Sequence, residues 1–423
     1  MGMVGESKLA LLGGRPVRGR ENPLPPLFPR RVPEAALRLV KEVLDGGFVT
    51  DHIGRLEQRF AALCGARFGV AVDNCTAAVH SAVAALSLSP GDEVITAPVT
   101  DYGTIAGILY QNALPVFADV DPVTGNVTAE AIQEKITGRT RAILVVHLYG
   151  LPCDMDGIAG VARKHAVTLI EDCCQAPLAE YRSQRVGTLG DMGTFSFDAE
   201  KHMPTDHGGM VVTDREELAE NVRRFAIARG AVPCKARGMP YRVHSTLGLN
   251  YRMGNVLCAI GLATCEVLPE IVSTRQRLAS ILTGLVRELP GVRGPALPEG
   301  VTHSYWLYPL TLDLEVLGTD VYEFARALNA EGVPALPREY YLAYRYPFFQ
   351  ERKGTYGLSR CPFECRYTTS VPSYDPAEFP GAEQHVRQTL PLEWHEYFSE
   401  QDVRDIAEAI AKVANHFARS TGG

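Results

Sequence analysis

Lys201 is the residue whose position in this chain most directly suggests covalent chemistry. It follows an apolar stretch at 193–197 and stands shortly before the pair Gly208-Gly209. A lysine that served only solubility could lie on any exposed helix face, whereas a lysine at the end of a buried strand can present its amine to a ligand. Residues 193–212 therefore predict a strand, a loop that carries a reactive amine, and a second strand.

Other groups that could bind a ligand follow apolar runs elsewhere in the chain. The tripeptide 74–76 follows one such run, Tyr102 follows another, and Asp172 ends a third. In open α/β sheets, ligands bind beyond the carboxyl ends of the strands. We therefore expect these groups to meet Ser196 and Lys201 at one edge of a sheet.

Together these groups offer the contacts that pyridoxal phosphate requires. A hydroxyl and free amides at a helix start hold a phosphate, a ring stacks on the pyridine, Asp172 keeps its nitrogen protonated, and Lys201 forms an imine link. Each group alone has an ordinary explanation, such as a helix cap at Asn74 or packing by Tyr102. A nucleotide site is the alternative, but no G-x-G-x-x-G motif follows the first strand and no P-loop occurs.

Seven short apolar runs predict the strands of an α/β sheet, at 68–72, 93–96, 115–118, 142–146, 167–170, 194–197 and 210–212. Helical patterns at 76–86, 129–136 and 156–165 lie between them. Such alternation predicts a mostly parallel sheet with helices on both faces. The last two strands are joined only by the lysine loop, so we expect them to form an antiparallel edge.

The pattern changes after about residue 265. A long helix is predicted at 267–289, a strand at 305–312, a helix at 321–329 and a final helix at 401–418, with a loop-rich segment at 337–372. The chain is thus expected to divide into an extended arm (1–30), a large ligand-binding domain (31–264) and a smaller α+β domain (265–423).

The composition and net charge of the chain argue against several classes of partner and ligand. The net charge of −7 over 423 residues argues against nucleic acid as the main partner. Neither a signal peptide nor a run of about 18 apolar residues is recognised, which predicts a cytoplasmic protein without a membrane partner. The ten cysteines include no Cys-x-x-Cys pair and are expected to be reduced thiols. Cys361 and Cys365 alone make a weak metal half-site, so no metal is expected.

A series of motifs in one order resembles the DegT/DnrJ/EryC1/StrS family, the sugar aminotransferases among pyridoxal-phosphate enzymes. The resemblance covers the chain from about residue 48 to the last helix and lies in the segments 74–78, 116–121, 146–150, 171–176, 187–191, 195–201, 208–210 and 248–253. It implies the fold of aspartate aminotransferase, fold type I, with pyridoxal 5'-phosphate as cofactor.

The resemblance also implies roles for individual residues. Lys201 carries the imine link and moves protons, Asp172 pairs with the pyridinium, and Gln175 lies beside the phenolic oxygen. Tyr102 stacks on the ring. The phosphate is held by Cys75, Thr76 and Ser196, and by Asn250 from a neighbouring subunit, which implies a homodimer with its sites at the interface.

The chain departs from the family at two places. Cys75 stands where the family usually has glycine, and Asp206-His207 stands where members read glycine and an acidic residue. Because that loop lies against the substrate in the family, we expect Asp206 and His207 to contact an unusual keto acceptor. His202 is a third candidate and is expected to lie behind the site. Relatives that dehydrate deoxysugars have histidine at the lysine position, so Lys201 favours transamination.

The leading hypothesis is an aminotransferase that moves the amino group of glutamate or glutamine to a nucleotide-linked keto-sugar, in amino-sugar or antibiotic biosynthesis. The alternative acceptor is a keto-cyclitol or another small ketone, because residues 10–17 resemble the start of members that aminate inosose-type rings. A hypothesis of another class is a regulatory protein on a fold that has lost its activity.

Overall fold

The computed structural model describes residues 8–236, 239–354, 357 and 359–420. Its helices are α1 Ala35–Asp45, α2 His52–Cys64, α3 Cys75–Ala84, α4 Tyr102–Tyr110, α5 Ala129–Lys135, α6 Met155–His165, α7 Glu216–Ala226, α8 Asn255–Val286, α9 Leu314–Leu317, α10 Val321–Ala330, α11 Pro347–Gln350, α12 Pro380–Gln388 and α13 Glu400–Ser420. Its strands are β1 Phe68–Val72, β2 Glu93–Thr96, β3 Leu114–Phe117, β4 Thr140–Val146, β5 Thr168–Asp172, β6 Glu180–Tyr181, β7 Gln184–Arg185, β8 Met192–Ser196, β9 Gly209–Thr213, β10 Ala231–Ala236, β11 Met239–His244, β12 Val292–Arg293, β13 Val301–Thr302, β14 Leu307–Leu312 and β15 Thr389–Glu393.

The seven predicted strands form one sheet with the order β1-β9-β8-β5-β4-β2-β3. Neighbours from β8 to β3 run parallel, whereas β9 runs antiparallel to both β1 and β8. The expected antiparallel pair is therefore present, but its position at an edge was wrong. Strand β1 is the edge, because it pairs with the outer side of β9. This insertion places Gly209 of β9 opposite Val72, beside the turn that starts α3.

Helices cover both faces of the sheet, as the apolar strands predict. Along β1 and β9, successive side chains enter different cores. Val70 and Val211 pack with α3, α4 and α7, whereas Ala71 and Met210 pack with α1, α2 and the first half of α8. Since neighbouring side chains in a strand point to opposite faces, both faces are buried.

Helix α8 begins at Asn255, twelve residues before the predicted start. Residues 258–259 and 261–265 are all buried in the first part of the helix, so this part lacks the polar face from which an amphipathic helix is recognised. The expected division after residue 264 falls inside α8 and stays a prediction. The second half of α8 packs with α10, α13, β14 and β15 in a separate core, which Leu9 and Leu24 of the arm also enter.

Helix α8 is also long and apolar enough to cross a membrane, with a mean hydropathy of 1.7 in its most apolar window. The helix is nevertheless not an uninterrupted apolar run, because Glu266 and Glu270 lie within it. Half of that window is buried inside the molecule. Arg275 in the same helix is buried and ion-paired with Glu396. These contacts are those of a core helix.

Candidate active site

A cavity of about 710 Å³ lies beyond the carboxyl ends of β1, β5 and β8. Of the predicted site residues, the structure brings Cys75, Thr76, Asp172, Gln175, Ser196, Lys201 and His207 to its wall. They come from separate segments that the parallel strands bring to one edge of the sheet. The wall is completed by Trp306, Arg338, Tyr340 and Tyr341, which lie beyond the sheet in the sequence.

Lys201 lies in the turn after β8, where its amide donates a hydrogen bond to the Asp198 carbonyl at 3.0 Å. Its Nζ atom lies 3.7 Å from the centre of the Trp306 ring, within the range of a cation–π contact. The arm fixes the turn from behind, because Nη2 of Arg30 donates to the Lys201 carbonyl at 3.1 Å. The amine therefore enters the cavity from a backbone that is held on both sides.

Asp172, the last residue of β5, is 1% exposed. Its Oδ2 accepts a hydrogen bond from Oγ1 of Thr104 at 2.8 Å, and its Oδ1 accepts one from the amide of Cys174 at 3.0 Å. A buried carboxylate is costly unless it is hydrogen-bonded and paired. These two donors fix its orientation without neutralising it, so a cationic ligand atom in the cavity would be its natural partner.

The first turn of α3 forms a cradle for an anion. Asn74 caps the helix, since its Oδ1 accepts from the amide of Ala77 at 2.8 Å. The remaining amides of a first turn lack helical partners and attract negative charge. The strand β9 comes very close here, because a Cβ on Gly209 would lie 2.5 Å from the Asn74 carbonyl oxygen. Glycine at this position lets the lysine loop return beside the cradle.

Gln175 is 2% exposed, and its Oε1 accepts from the amide of Tyr149 at 2.6 Å. This bond fixes the side-chain amide at the cavity wall. Ser196 is half-buried at the end of β8, where its Oγ accepts a long hydrogen bond of 3.4 Å from the amide of Asp198. Both residues therefore lie where the sequence predicts, and their roles toward a cofactor stay predictions.

Two predicted contacts are not brought into this cavity. Tyr102 begins α4 but is 41% exposed, and its ring packs against Tyr346 with 6.0 Å between ring centres. Asn250 is also exposed and outside the cavity wall. The aromatic rings that do line the cavity belong to Tyr251, Trp306, Tyr340 and Tyr341. The stacking role of Tyr102 and the role of Asn250 across an interface remain predictions.

His207 lines the cavity and is half-exposed. Its Nε2 lies 3.4 Å from Nδ2 of Asn74 and 3.9 Å from Oδ2 of Asp73. The neighbouring Asp206 is exposed, outside the wall, and has a φ of 76°. The structure therefore brings only the histidine of this pair to the cavity, next to the cap of α3.

His202 is fully buried behind Lys201. One ring nitrogen, Nε2, lies 2.9 Å from the carbonyl oxygen of Ser304, to which it donates in the neutral tautomer. Burial, followed by the nearby charge of Arg275, holds the pKa of His202 well below its usual value. The ring is therefore neutral and lies outside the cavity wall, and its role toward the lysine loop stays a prediction.

The sequence did not single out Trp306, Arg338 or Cys174, which line the cavity. Trp306 and Arg338 come from the second half of the chain, where no strand end marked them as site residues. Trp306 is fixed to the loop after β4 because its amide donates to the Tyr149 carbonyl at 2.9 Å. Of these three residues, only Cys174 could have been recognised from the sequence, because it stands two residues after Asp172.

The residues present fit pyridoxal phosphate. A lysine amine, a buried carboxylate without a cationic partner among the described residues, and the start of α3 share one cavity whose size suits a cofactor with a substrate. Asn74 and Gly209 shape the anion cradle at the start of α3, and Arg30 of the arm holds the backbone of Lys201 in place.

The sequence from residue 31 to residue 411 matches the model of the DegT/DnrJ/EryC1/StrS aminotransferase family. The GDP-perosamine synthase of Caulobacter vibrioides is 36% identical over 303 residues, which cover 70% of this chain and 80% of that enzyme. The L-glutamine:2-deoxy-scyllo-inosose aminotransferase of Streptomyces fradiae is 33% identical, with 97% of this chain and 99% of that enzyme covered.

Among solved structures, the aminotransferase TlmJ from Streptoalloteichus hindustanus has a TM-score of 0.78 at 30% identity, over 91% of this chain and 97% of that chain. These matches confirm the family resemblance and the fold-type-I architecture. The chain belongs to the DegT/DnrJ/EryC1/StrS aminotransferase family and is an aminotransferase whose cofactor is pyridoxal 5'-phosphate.

Proposed function

We propose that this enzyme moves the amino group of glutamate or glutamine to a polyhydroxylated ketone, in the biosynthesis of an amino sugar or a related secondary metabolite. The observation that carries the proposal is the meeting of Lys201 and Asp172 in one cavity beside the start of α3. Relatives named for GDP-perosamine and for 2-deoxy-scyllo-inosose support a keto-sugar or a keto-cyclitol as acceptor. Membership in an aminotransferase family argues against the alternative of a regulatory protein without activity.

When bound, pyridoxal phosphate supplies a carbonyl that takes up the amino group and a ring that withdraws electrons. Asp172, whose orientation is held by Thr104 and the Cys174 amide, would accept a hydrogen bond from the protonated ring nitrogen. Its negative charge, buried at the cavity wall, keeps that nitrogen protonated. The amides of the first turn of α3 and the hydroxyls of Thr76 and Ser196 would bind the phosphate.

Lys201 has two tasks in this proposal. Its Nζ atom would hold the cofactor covalently, and the amine, when free, would take the proton from the α-carbon of the amino donor. The same amine would return a proton to the acceptor carbon in the second half-reaction. Trp306, packed on Nζ, limits the access of water to it. Because donor and acceptor use the site in turn, ping-pong kinetics are expected.

We further propose a cytoplasmic homodimer in which Asn250 of each subunit completes the site of the other. The support is that Asn250 is exposed in the single chain, lies outside the cavity wall, and belongs to the segment 242–250, which is exposed except at Gly248. A mixture of Lys201→Ala and Asn250→Ala subunits tests this arrangement. In mixed dimers the two defects fall in one site and leave the other intact, so roughly a quarter of the wild-type activity should return.

The charged side chains at the cavity wall indicate which class of keto acceptor can bind. The described carboxylates at its wall are Asp101, Asp172, Asp198 and Glu200, whereas its cations are Lys201 and Arg338. With Lys201 committed to the cofactor, Arg338 is the one permanent cation of the described residues at this wall that could face an acceptor. A nucleotide diphosphate needs several donors or cations, so this balance favours an uncharged keto-cyclitol over a nucleotide-linked sugar.

Single-turnover measurements on the pyridoxamine-phosphate form of the enzyme test the acceptor class. An inosose-type ring and a nucleotide-linked keto-sugar would be mixed with this form, and recovery of the pyridoxal absorbance would be followed. The charge balance predicts fast recovery with the inosose and slow recovery with the nucleotide-linked sugar. The reverse order would overturn the cyclitol assignment, and no recovery with any polyhydroxylated ketone would overturn the proposed function.

A further inference from the structure

Two cysteine side chains face each other inside the cofactor cavity. Cys75 is the first residue of α3, and Cys174 follows Asp172 on the neighbouring side of the cavity. The two sulfur atoms and a carboxylate oxygen of Asp172 all lie within 4.8 Å of one another. Both cysteines are partly exposed free thiols. The pair is therefore accessible from the cavity when the cofactor is absent.

The two thiols differ in their readiness to react. The S–H of Cys174 donates to the sulfur of Cys75, and this bond, followed by burial, holds the pKa of Cys174 well above its usual value. At Cys75 the same bond lowers the pKa, burial and Asp172 raise it, and Lys201 lowers it, with a net rise. Cys75 also stands at a helix N-terminus, which favours a thiolate. Cys75 is thus the attacking sulfur of the pair, and Cys174 is placed to follow it.

We propose that Cys75 and Cys174 form a reversible disulfide when the cofactor-free enzyme meets a hydroperoxide, and that this bridge closes the phosphate cradle. In the first step the Cys75 thiolate attacks the peroxide, the O–O bond breaks, and a sulfenic acid and an alcohol or water are formed. In the second step the Cys174 sulfur displaces water, forming the S–S bond. The peroxide is reduced by two electrons, which the two thiols supply.

The position of the disulfide would interfere with binding of the cofactor. A disulfide would join the first residue of α3 to the residue whose amide orients Asp172. It would draw the two sulfurs from within 4.8 Å to about 2 Å, and the new bond would cross the space between the phosphate cradle and the carboxylate. This consequence rests on the proposed binding roles of Cys75 and Asp172. Oxidised protein should therefore bind pyridoxal phosphate poorly, and bound cofactor should protect the thiols.

Other cysteines provide internal controls. Cys173, next to Cys174, is fully buried in the opposite core and does not reach the cavity. Cys361 and Cys365 form a second close pair on the surface, where a hydrogen bond joins the two thiols. Because that pair would also consume peroxide, the experiment needs the background Cys361→Ser/Cys365→Ser. A chelator in the buffer keeps metal ions away from the cavity thiols.

The test treats the cofactor-free background protein with hydrogen peroxide, blocks the remaining thiols, and maps disulfides by mass spectrometry without reduction. The expected product joins the peptides of Cys75 and Cys174. Pyridoxal phosphate should then bind at least about tenfold more weakly, which corresponds to about 1.4 kcal/mol of binding free energy. Dithiothreitol should restore binding. In a Cys174→Ser variant, peroxide treatment should yield no cross-linked peptide, because Cys75 then lacks its partner thiol.

Two results would overturn the inference: peroxide treatment that yields no peptide joining Cys75 and Cys174, or bridged protein that binds the cofactor as well as reduced protein. The reduced protein separates this inference from the proposed function. If reduced protein takes up the cofactor and transaminates but never forms the bridge, only the inference fails. If reduced protein does not take up the cofactor, the proposed function fails first.

Discussion

Oγ1 of Thr104 donates a hydrogen bond to Oδ2 of Asp172 at 2.8 Å, and both groups are buried beside the cavity. Thr104 in turn lies 2.8 Å from the hydroxyl of Thr100, so the carboxylate ends a short chain of hydroxyl groups. Neutral donors of this kind orient a carboxylate while leaving its charge in place. The relationship explains how β5 can end in a buried charge that is directed at a ligand.

Removal of the negative charge of Asp172 should slow catalysis more than it lowers the free energy of unfolding. Asp172→Asn keeps the size of the side chain but can no longer stabilise a protonated ring nitrogen. We expect the rate of the amino-donor half-reaction to fall about 100-fold or more, equivalent to roughly 3 kcal/mol. Stopped-flow absorbance with glutamate or glutamine measures this rate. Asp198→Asn, at the same wall, is the matched control and should lose much less; an equal loss in both variants would argue against a special role for Asp172.

His207 should act on the acceptor and not on the donor. The histidine lines the cavity next to the cap of α3, and an imidazole can donate a hydrogen bond where a carboxylate only accepts. We expect His207→Glu to slow the acceptor half-reaction by about tenfold, the loss of one good hydrogen bond, with the donor half-reaction nearly unchanged. The two half-reactions would be measured separately. Equal effects on both, or effects no larger than those of His165→Glu on the distant helix α6, would place His207 outside the acceptor site.

Stability should fall in mild acid because several buried histidines are neutral in the folded protein. Burial lowers the pKa of His80 and of His385 to about 4 and that of His303 to about 3. The unfolded chain takes up protons near pH 6.5, whereas these folded rings do so only near pH 4 or below. Their contribution is therefore present above pH 6.5 and is lost as the pH falls from 6.5 toward 4, on the order of 3 kcal/mol for one such group.

Denaturant unfolding at a series of pH values measures this loss. The His385→Gln variant should show a shallower decrease in the free energy of unfolding between pH 6.5 and 4 than the wild type. His165→Gln removes a partly exposed histidine of α6 and serves as the control. A wild-type free energy of unfolding that is flat over this pH range would contradict the assignment of neutral buried rings.

The sequence predicts much of the sheet and the side of it on which the site lies, because strand ends and helix starts are local patterns. Lys201, Asp172 and Thr76 reach the cavity for that reason. The place of β9 between β1 and β8 could not be predicted, since it depends on which free strand edge β1 pairs with. Trp306 and Arg338 reach the site through contacts distant in the sequence, which have no local pattern.

Helix faces also limit what a sequence can reveal about a site. Tyr102 follows β2 as predicted, yet it starts α4 on the outward face, while its neighbours Asp101 and Gly103 line the cavity. A shift of one residue at a helix start turns a side chain by about 100°. The stacking contact of Tyr102 therefore stays a prediction, and the rings found at the cavity wall include those of Trp306 and Tyr341.

Covalent attachment of the cofactor to Lys201 is the claim on which the account depends most. Borohydride reduction of the holoenzyme, followed by peptide mapping, tests it directly, because reduction fixes the cofactor on the lysine that holds it. We expect one pyridoxyl-labelled peptide, with the label on Lys201, and no label in Lys201→Ala, although that variant should still bind the cofactor non-covalently. A label on another lysine, or an unlabelled wild-type holoenzyme, would contradict the account.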